Sequence, residues 1–261
     1  MFSLPVAVRL LLAALAGFVA LVAHAQLSDE IQVYTDDINP PGEFGLELHV
    51  NATPRGRRVP DYPGEATPDH GWRFTPEFSY GLSRDWEAGL YLPASRDAHG
   101  DTQLAGAKAR LKWLPVRPEE GGAGWFLGAN GELSRLKKAF SESRSSAELR
   151  MMIGWRDPQW LVAVNPVFGW NLSDGLRSST PDLSIGAKVA RTMAKDFAVG
   201  FEYYSDLGTT RHLQWSSQQA QTLYAAVDAK LRGIDLNFGI GRGLTQAADA
   251  WTVKTILGIP F

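Results

Sequence analysis

The stretch Trp72-Arg73-Phe74-Thr75-Pro76-Glu77-Phe78-Ser79-Tyr80 sets the reading of the whole chain. Trp72, Phe74, Pro76, Phe78 and Tyr80 fall on one phase, and Arg73, Thr75, Glu77 and Ser79 on the other. That period of two belongs to a β-strand, whose successive side chains point to opposite faces. Upstream, Phe44, Leu46, Leu48 and Val50 alternate with Glu43, Gly45, Glu47 and His49 in the same way. Downstream the pattern returns in Trp86–Leu92, Ala105–Trp113, Trp125–Leu133, Ala147–Trp155, Trp160–Trp170, Leu183–Val189, Phe197–Tyr203, Gln221–Leu231, Ile234–Ile240 and Trp251–Phe261. These make about twelve strands, and the longer ones match the roughly 9 to 11 residues that a tilted strand needs to cross a bilayer.

Alternation alone also fits a soluble sandwich or a lipocalin, so the character of each phase decides. The apolar phase carries no Asp, Glu, Lys or Arg, although 21% of the chain is charged. One Lys or Arg facing mid-bilayer lipid costs ~2 to 4 kcal/mol, whereas a soluble sheet has no reason to exclude every charge. Aromatics of that phase gather at strand ends (Trp72, Tyr80, Trp86, Trp113, Trp125, Trp155, Trp160, Trp170, Tyr203, Trp251 and Phe261), the levels of two interfacial girdles. Long polar connections at 51–70, 94–103, 134–146, 171–182, 205–219 and 241–250 alternate with mostly tight turns, 114–124 being the longer exception. An even-stranded barrel with outer loops and periplasmic turns has this rhythm. The expected fold is all-β: a transmembrane antiparallel up-and-down β-barrel of about twelve strands, both termini periplasmic.

The start of the chain reads as a leader rather than as part of the fold. A weakly basic beginning with Arg9, an apolar run from Leu10 to Val22, and Ala23-His24-Ala25 predict cleavage before Gln26. Residues 1–25 are then a signal peptide, and residues 26–41 a segment that either hangs in the periplasm or folds into the lumen. The barrel covers 42–261. No later run of about 18 apolar residues follows, so a membrane crossing requires a closed sheet. The expected location is the outer membrane of a Gram-negative cell, reached through the periplasm, with membrane lipid and lipopolysaccharide as surroundings. C-terminal Phe261 on an alternating strand resembles the signal read by the barrel-insertion machinery. With no cysteine among 261 residues, disulfides and thiolate sites are excluded, and a net charge of −2 without a Lys/Arg run sets aside nucleic-acid partners.

Chemistry, if any, lies on the opposite phase. Glu43, Glu47, Glu77, Glu87, Glu132, Glu148, Glu202, Asp228 and Asp235 point inward together with Arg73, Lys108, Arg110, Lys112, Arg150, Lys188, Lys230 and Lys254. In a narrow barrel such charges must pair, hold water or line a small channel. The candidates for a lumenal constriction are Glu47, Arg73, Glu77, Glu87, Tyr91, Lys108, Arg110, Lys112, Glu132, Arg150, Glu202, Tyr204 and Lys254. The ladder Lys108/Arg110/Lys112 sits one strand from Glu87 and one from Glu132. Inward Tyr91, Phe126, Tyr204 and Tyr224 either offer stacking surface to an aromatic solute or fill space.

Catalytic signatures are absent from the sequence: it holds no Gly-x-Ser-x-Gly elbow and no His-x-x-x-His pair. Asp69, His70, Asp97, His99 and Asp101 fall in the first two outer loops, where solvation explains them without metal or catalytic geometry. Asp36-Asp37, before Asn39-Pro40-Pro41-Gly42, reads as a turn leading into the first strand. No catalytic residue, metal or cofactor is therefore assigned. Three functions stay open: a narrow passive channel for small solutes, a closed structural or surface-binding barrel, and an outer-leaflet enzyme.

One resemblance adds to this reading. The stretch FTPEFSYGLSRDWEAGLYLP, Phe74 to Pro93, resembles the PE-x-x-YGL-x-x-x-x-E-x-G hairpin of the outer-membrane barrels grouped as MetA-pathway phenol-degradation proteins. Gly106-Ala107-Lys108-Ala109-Arg110-Leu111 is similar to the strand that follows it in that group. The resemblance implies Pro76, Glu77, Tyr80, Gly81 and Glu87 as family positions, no catalytic residue, and passage of hydrophobic or aromatic compounds across the outer membrane. Pro76 donates no ladder hydrogen bond, so a bulge or interrupted pairing is expected there.

Overall fold

The computed structural model describes residues 30–119 and 121–260. The leader expected over residues 1–25 and the insertion signal at Phe261 lie outside them. The described residues form fifteen strands: β1 (Phe44–Arg55), β2 (Trp72–Ser83), β3 (Trp86–Tyr91), β4 (Ala94–Arg96), β5 (Thr102–Leu104), β6 (Gly106–Val116), β7 (Gly124–Leu136), β8 (Ser145–Arg156), β9 (Trp160–Asn171), β10 (Asp182–Ala194), β11 (Phe197–Thr209), β12 (His212–Leu213), β13 (Gln221–Leu231), β14 (Ile234–Gly243) and β15 (Trp251–Pro260). Twelve of them close a barrel in chain order, every neighbour antiparallel, while the short β4, β5 and β12 extend its loop end. β1 and β15 seal the sheet from Gly45–Pro260 to Arg55–Trp251. Closure leaves no sheet edge, as a lipid environment demands.

The exposure pattern is inverted relative to a soluble protein. Outward Trp125, Leu133 and Phe201 are 65%, 62% and 56% exposed, whereas inward Glu202 and Lys254 are 1% and 0% exposed. Aromatics ring both rims. At the turn end Trp86 and Trp113 stack at 5.8 Å and Phe44 meets Tyr80 at 4.6 Å; at the loop end Trp72 stacks on Phe74 at 6.2 Å. Short turns join strands at one end, such as Arg232-Gly233 with φ of 54° and 88°. Two positive φ values in a two-residue loop define the primed turn that matches strand twist, and glycine tolerates its second position at no steric cost.

Two interruptions reshape the barrel locally. The β2–β3 ladder ends at Glu77–Tyr91, and β2 resumes pairing only with β4 at Phe74–Ala94, so the break falls at Pro76 as the missing donor requires. The strand expected from Ala105 begins at Gly106 instead. Gly106 has φ 151°, a Cβ there would stand 2.1 Å from the Arg135 carbonyl oxygen, and Ala105 turns away from lipid to pack with Leu136 and Phe140. Glu43 is exposed, and Lys230 and Asp235 form a solvent-facing pair at 3.5 Å, so these three sit at the rim rather than deep in the lumen.

Candidate functional site

The lumen is occupied by the chain's own N-terminal segment. It enters at the turn end, where the Gly42 amide donates to the Gly81 carbonyl at 2.8 Å and Gly81 lies so close to Pro40 that a Cβ would approach its carbonyl oxygen to 2.1 Å. From there residues 39 to 30 run up the barrel. Val33 packs with Phe126, Ala163, Tyr204 and Tyr224, and Tyr34 with Leu114 and Met152. Ile31 packs against the first of these clusters and Ile38 against the second. Polar ties to strand side chains add to this packing.

The ties meet main-chain groups that would otherwise be unsatisfied. Asn165 brackets Tyr34: its Oδ1 accepts the Tyr34 N–H at 2.6 Å, and its Nδ2 donates to the Tyr34 carbonyl at 3.0 Å. Arg150 donates to the Gln32 carbonyl at 3.1 Å, Lys254 to the Ile31 carbonyl at 3.0 Å, and Lys112 to the Asp37 carbonyl at 3.3 Å. The Asn39 amide donates to Glu87 at 2.7 Å, and the Tyr34 and Tyr91 hydroxyls meet at 2.5 Å. Asp36 pairs with Arg156 at 2.9 Å, and the turn into the first strand closes a few residues on, where the Glu43 amide donates to the Pro40 carbonyl at 3.1 Å.

The constriction candidates lie on the lumenal side, and three groups account for most of them. Toward the turn end, Arg110 bridges Glu77 and Glu87, contacting both at hydrogen-bond distance, while Lys112 lies 3.4 Å from Glu87. Across the barrel Glu202 contacts Lys254 directly, accepts the Tyr204 hydroxyl at 2.6 Å and faces Lys188 at 3.4 Å. Toward the loop end Lys108 stands 3.5 Å from Glu132, Arg150 3.0 Å from Glu148, and Arg73 lies 5.0 Å over the Phe140 ring. The pairing is diagonal. Arg110 is in register with Glu132 on β7, yet its guanidinium reaches Glu77 and Glu87, and Glu132 pairs with Lys108.

His49 is a member that sequence spacing did not single out. Its Nε2 lies 3.2 Å from Glu77 and 3.6 Å from Glu47, so three potential metal-ligand atoms lie within 4.8 Å of one another. Arg110 already balances Glu77, and the Gln32 side-chain amide donates to Glu47 at 3.3 Å, while the buried His49 Nδ1 has no hydrogen-bond partner. In-phase alternation of Glu47 and His49 opposite Glu77 was the available signal. The loop candidates resolve into local structure. Asp69 accepts the Gly56 amide at 2.9 Å and also holds Arg58 and His70, and the amide bond first among these keeps its pKa down at about 2. Asp97 accepts the amides of His99 and Asp101 at 2.9 and 3.0 Å, an Asx turn.

Above the segment, on the loop side, a cavity of about 390 Å³ opens between a floor of Glu30 and Ile31 and a roof of loops. Arg57 organises the roof: it contacts Asp61 and lies 3.5 Å from Glu65 and 3.7 Å from Asp249. The first loop also reaches the third through the Ala66 amide, which donates to the Ala139 carbonyl at 2.9 Å. The molecule thus has a roofed vestibule, a filled waist and a charged layer beneath.

No protein-family model and no curated relative matches the sequence. Among solved structures, the chain is similar to the COG4313 outer membrane channel from Pseudomonas putida F1, with a TM-score of 0.57, 12% identity, and 89% of this chain covering 100% of that one. It is also similar to the KdgM porin, at TM-score 0.52, 10% identity and coverage of 83% and 99%, and to the NanC porin, at TM-score 0.52, 11% identity and coverage of 83% and 98%. At such identities the likeness establishes architecture: the chain has the closed twelve-stranded barrel fold of outer-membrane channels.

Proposed function

We propose that the protein is a narrow passive channel of the outer membrane for small solutes, with residues 30–41 acting as a plug that sets the width of its lumen. The observation that carries this reading is how the plug is held. Beside the apolar contacts of Ile31, Val33, Tyr34 and Ile38, a set of side-chain bonds to its carbonyls and amides holds this segment. Such bonds exchange with water at little net cost, about 0.5 to 1.5 kcal/mol each, so water can take over that part of the hold. The roofed vestibule supplies a compartment at the loop side.

In this arrangement both termini are periplasmic, a leader over residues 1–25 delivers the chain, and Phe261 addresses it to the insertion machinery. Lipid and lipopolysaccharide contact the apolar face. The lumenal charges, with Lys108, Arg110 and Glu132 at their centre, act as the filter. The hairpin resemblance supports solutes with an aromatic or hydrophobic body, and inward Tyr204 and Tyr224 line the vestibule they would enter. A specific observation also favours the competing closed barrel: Val33 and Tyr34 at the waist are each only 4% exposed. Planar-bilayer recording separates the two. A channel gives discrete current steps whose size changes in Lys108→Ala/Arg110→Ala, together with solute flux into proteoliposomes; a closed barrel gives neither.

A further inference from the structure

The vestibule differs in charge from the rest of the molecule. Nine carboxylates and four Lys/Arg side chains line it, a surplus of five negative charges, although the whole chain carries only −2. The surplus is visible in the pairing. In the roof Asp61, Glu65 and Asp249 share the single guanidinium of Arg57. At the floor Glu30, Glu132 and Glu148 share Lys108 and Arg150. Glu30 is 4% exposed, its enclosed Oε1 receives no hydrogen bond, and its two cations stand off at 3.7 and 4.0 Å. A carboxylate paired this loosely at the cavity floor adds to the negative field above it.

One loop group registers the same field. Burial, then the nearby charge of Glu65, pushes the Tyr62 hydroxyl up, with Glu142 adding to it and Arg73 opposing it. Aromatic side chains complete the lining, Tyr62 and Phe140 at the top and Tyr204 and Tyr224 at the side, and protein cations already approach three of the rings: Arg73 lies 5.0 Å over Phe140, and Lys254 5.9 and 5.8 Å over Tyr204 and Tyr224. Rings and carboxylates around one cavity form the environment that holds an ammonium group on an apolar body, since the ring quadrupole and the carboxylates attract the same charge. A recess of one sign also concentrates counter-ions and repels anions.

We infer that the vestibule is a binding site for small organic cations, an ammonium carried on an aromatic or aliphatic body, and that anionic aromatics are rejected there. As a statement about transport this rests on the channel reading, but binding does not. Equilibrium dialysis of the detergent-solubilised, heat-modifiable barrel against phenylethylammonium, phenol and benzoate therefore tests it directly. The expected result is retention of phenylethylammonium over benzoate by about tenfold at low ionic strength, weakening steeply with salt. Glu65→Gln/Glu142→Gln reduces retention of the cation by about threefold or more, and Ala247→Lys, which adds a positive charge to the wall without removing a loop bond, does the same. Benzoate retained as well as the cation, or cation retention unchanged in both variants, overturns the inference. A barrel that binds the ammonium yet passes no current keeps this inference and removes the channel; one that conducts but binds no ammonium does the reverse.

Discussion

Asn165→Ala addresses the plug at its best-defined tie. The carboxamide of Asn165 makes two hydrogen bonds to one residue, accepting from the Tyr34 amide at 2.6 Å and donating to its carbonyl at 3.0 Å, with both residues buried. Alanine removes both bonds and leaves a backbone donor and acceptor to find water inside the barrel. Two net hydrogen bonds at about 1 kcal/mol each give a floor of about 2 kcal/mol, and partial failure to rehydrate the freed groups raises the loss to about 4 kcal/mol. At 1.4 kcal/mol per factor of ten, the ratio of released to docked plug rises roughly 30- to 700-fold. Release stays partial because Arg150, Lys254 and Glu87 still hold their carbonyl and amide partners. Single-channel recording at constant voltage reads the ratio as the fraction of time in the larger conductance state. An unchanged open fraction in a variant that retains heat-modifiable migration would falsify the view that these bonds hold the lumen closed.

Three further substitutions test the architecture that carries the plug. Glu202→Gln leaves Lys254 buried with only the Ile31 carbonyl as a strong partner, so the barrel should lose about 3 to 5 kcal/mol, and Glu202→Gln/Lys254→Met should lose less than the sum of the single variants. Heat or urea midpoints followed by gel migration measure both, and strict additivity would contradict the pairing. Gly81→Ala drives a Cβ into the Pro40 carbonyl, backbone that cannot yield, at about 1 to 3 kcal/mol; faster proteolysis of residues 30–41 is expected, with normal protection arguing against the close approach. Phe201→Lys places a charge on the lipid face, where folding into vesicles should lose up to about 2 to 4 kcal/mol according to depth, and a neutral outcome would mean that this face does not meet lipid.

Strand faces were legible because a period of two leaves no freedom. Once Trp72, Phe74 and Phe78 face out, Glu77 faces in, and the same logic places Lys108, Arg110, Glu202 and Lys254. Partner choice was not. Long side chains reach along a neighbouring strand and past it, so Arg110 passes over in-register Glu132 on β7 to reach Glu87 on β3 and Glu77 on β2 beyond, and such choices depend on which competing carboxylate is already engaged. The path of residues 30–41 was less legible still, because its polar hold is largely on carbonyls and amides, which every sequence possesses, and its apolar side chains, Ile31, Val33, Tyr34 and Ile38, are too few to set a period. Ala105 misled for a related reason: it keeps the alternating phase on paper, but Gly106 at φ 151° breaks the strand before it.

The central claim is that a conducting lumen is narrowed by residues 30–41. Planar-bilayer conductance of the protein beside a variant lacking residues 30–38 tests it most directly, with heat-modifiable migration confirming that both barrels are closed. The account predicts small, brief steps for the intact protein and a several-fold larger, sustained conductance for the shortened one, on the order of an open twelve-stranded lumen. Two silent barrels, or two equal conductances, would contradict it.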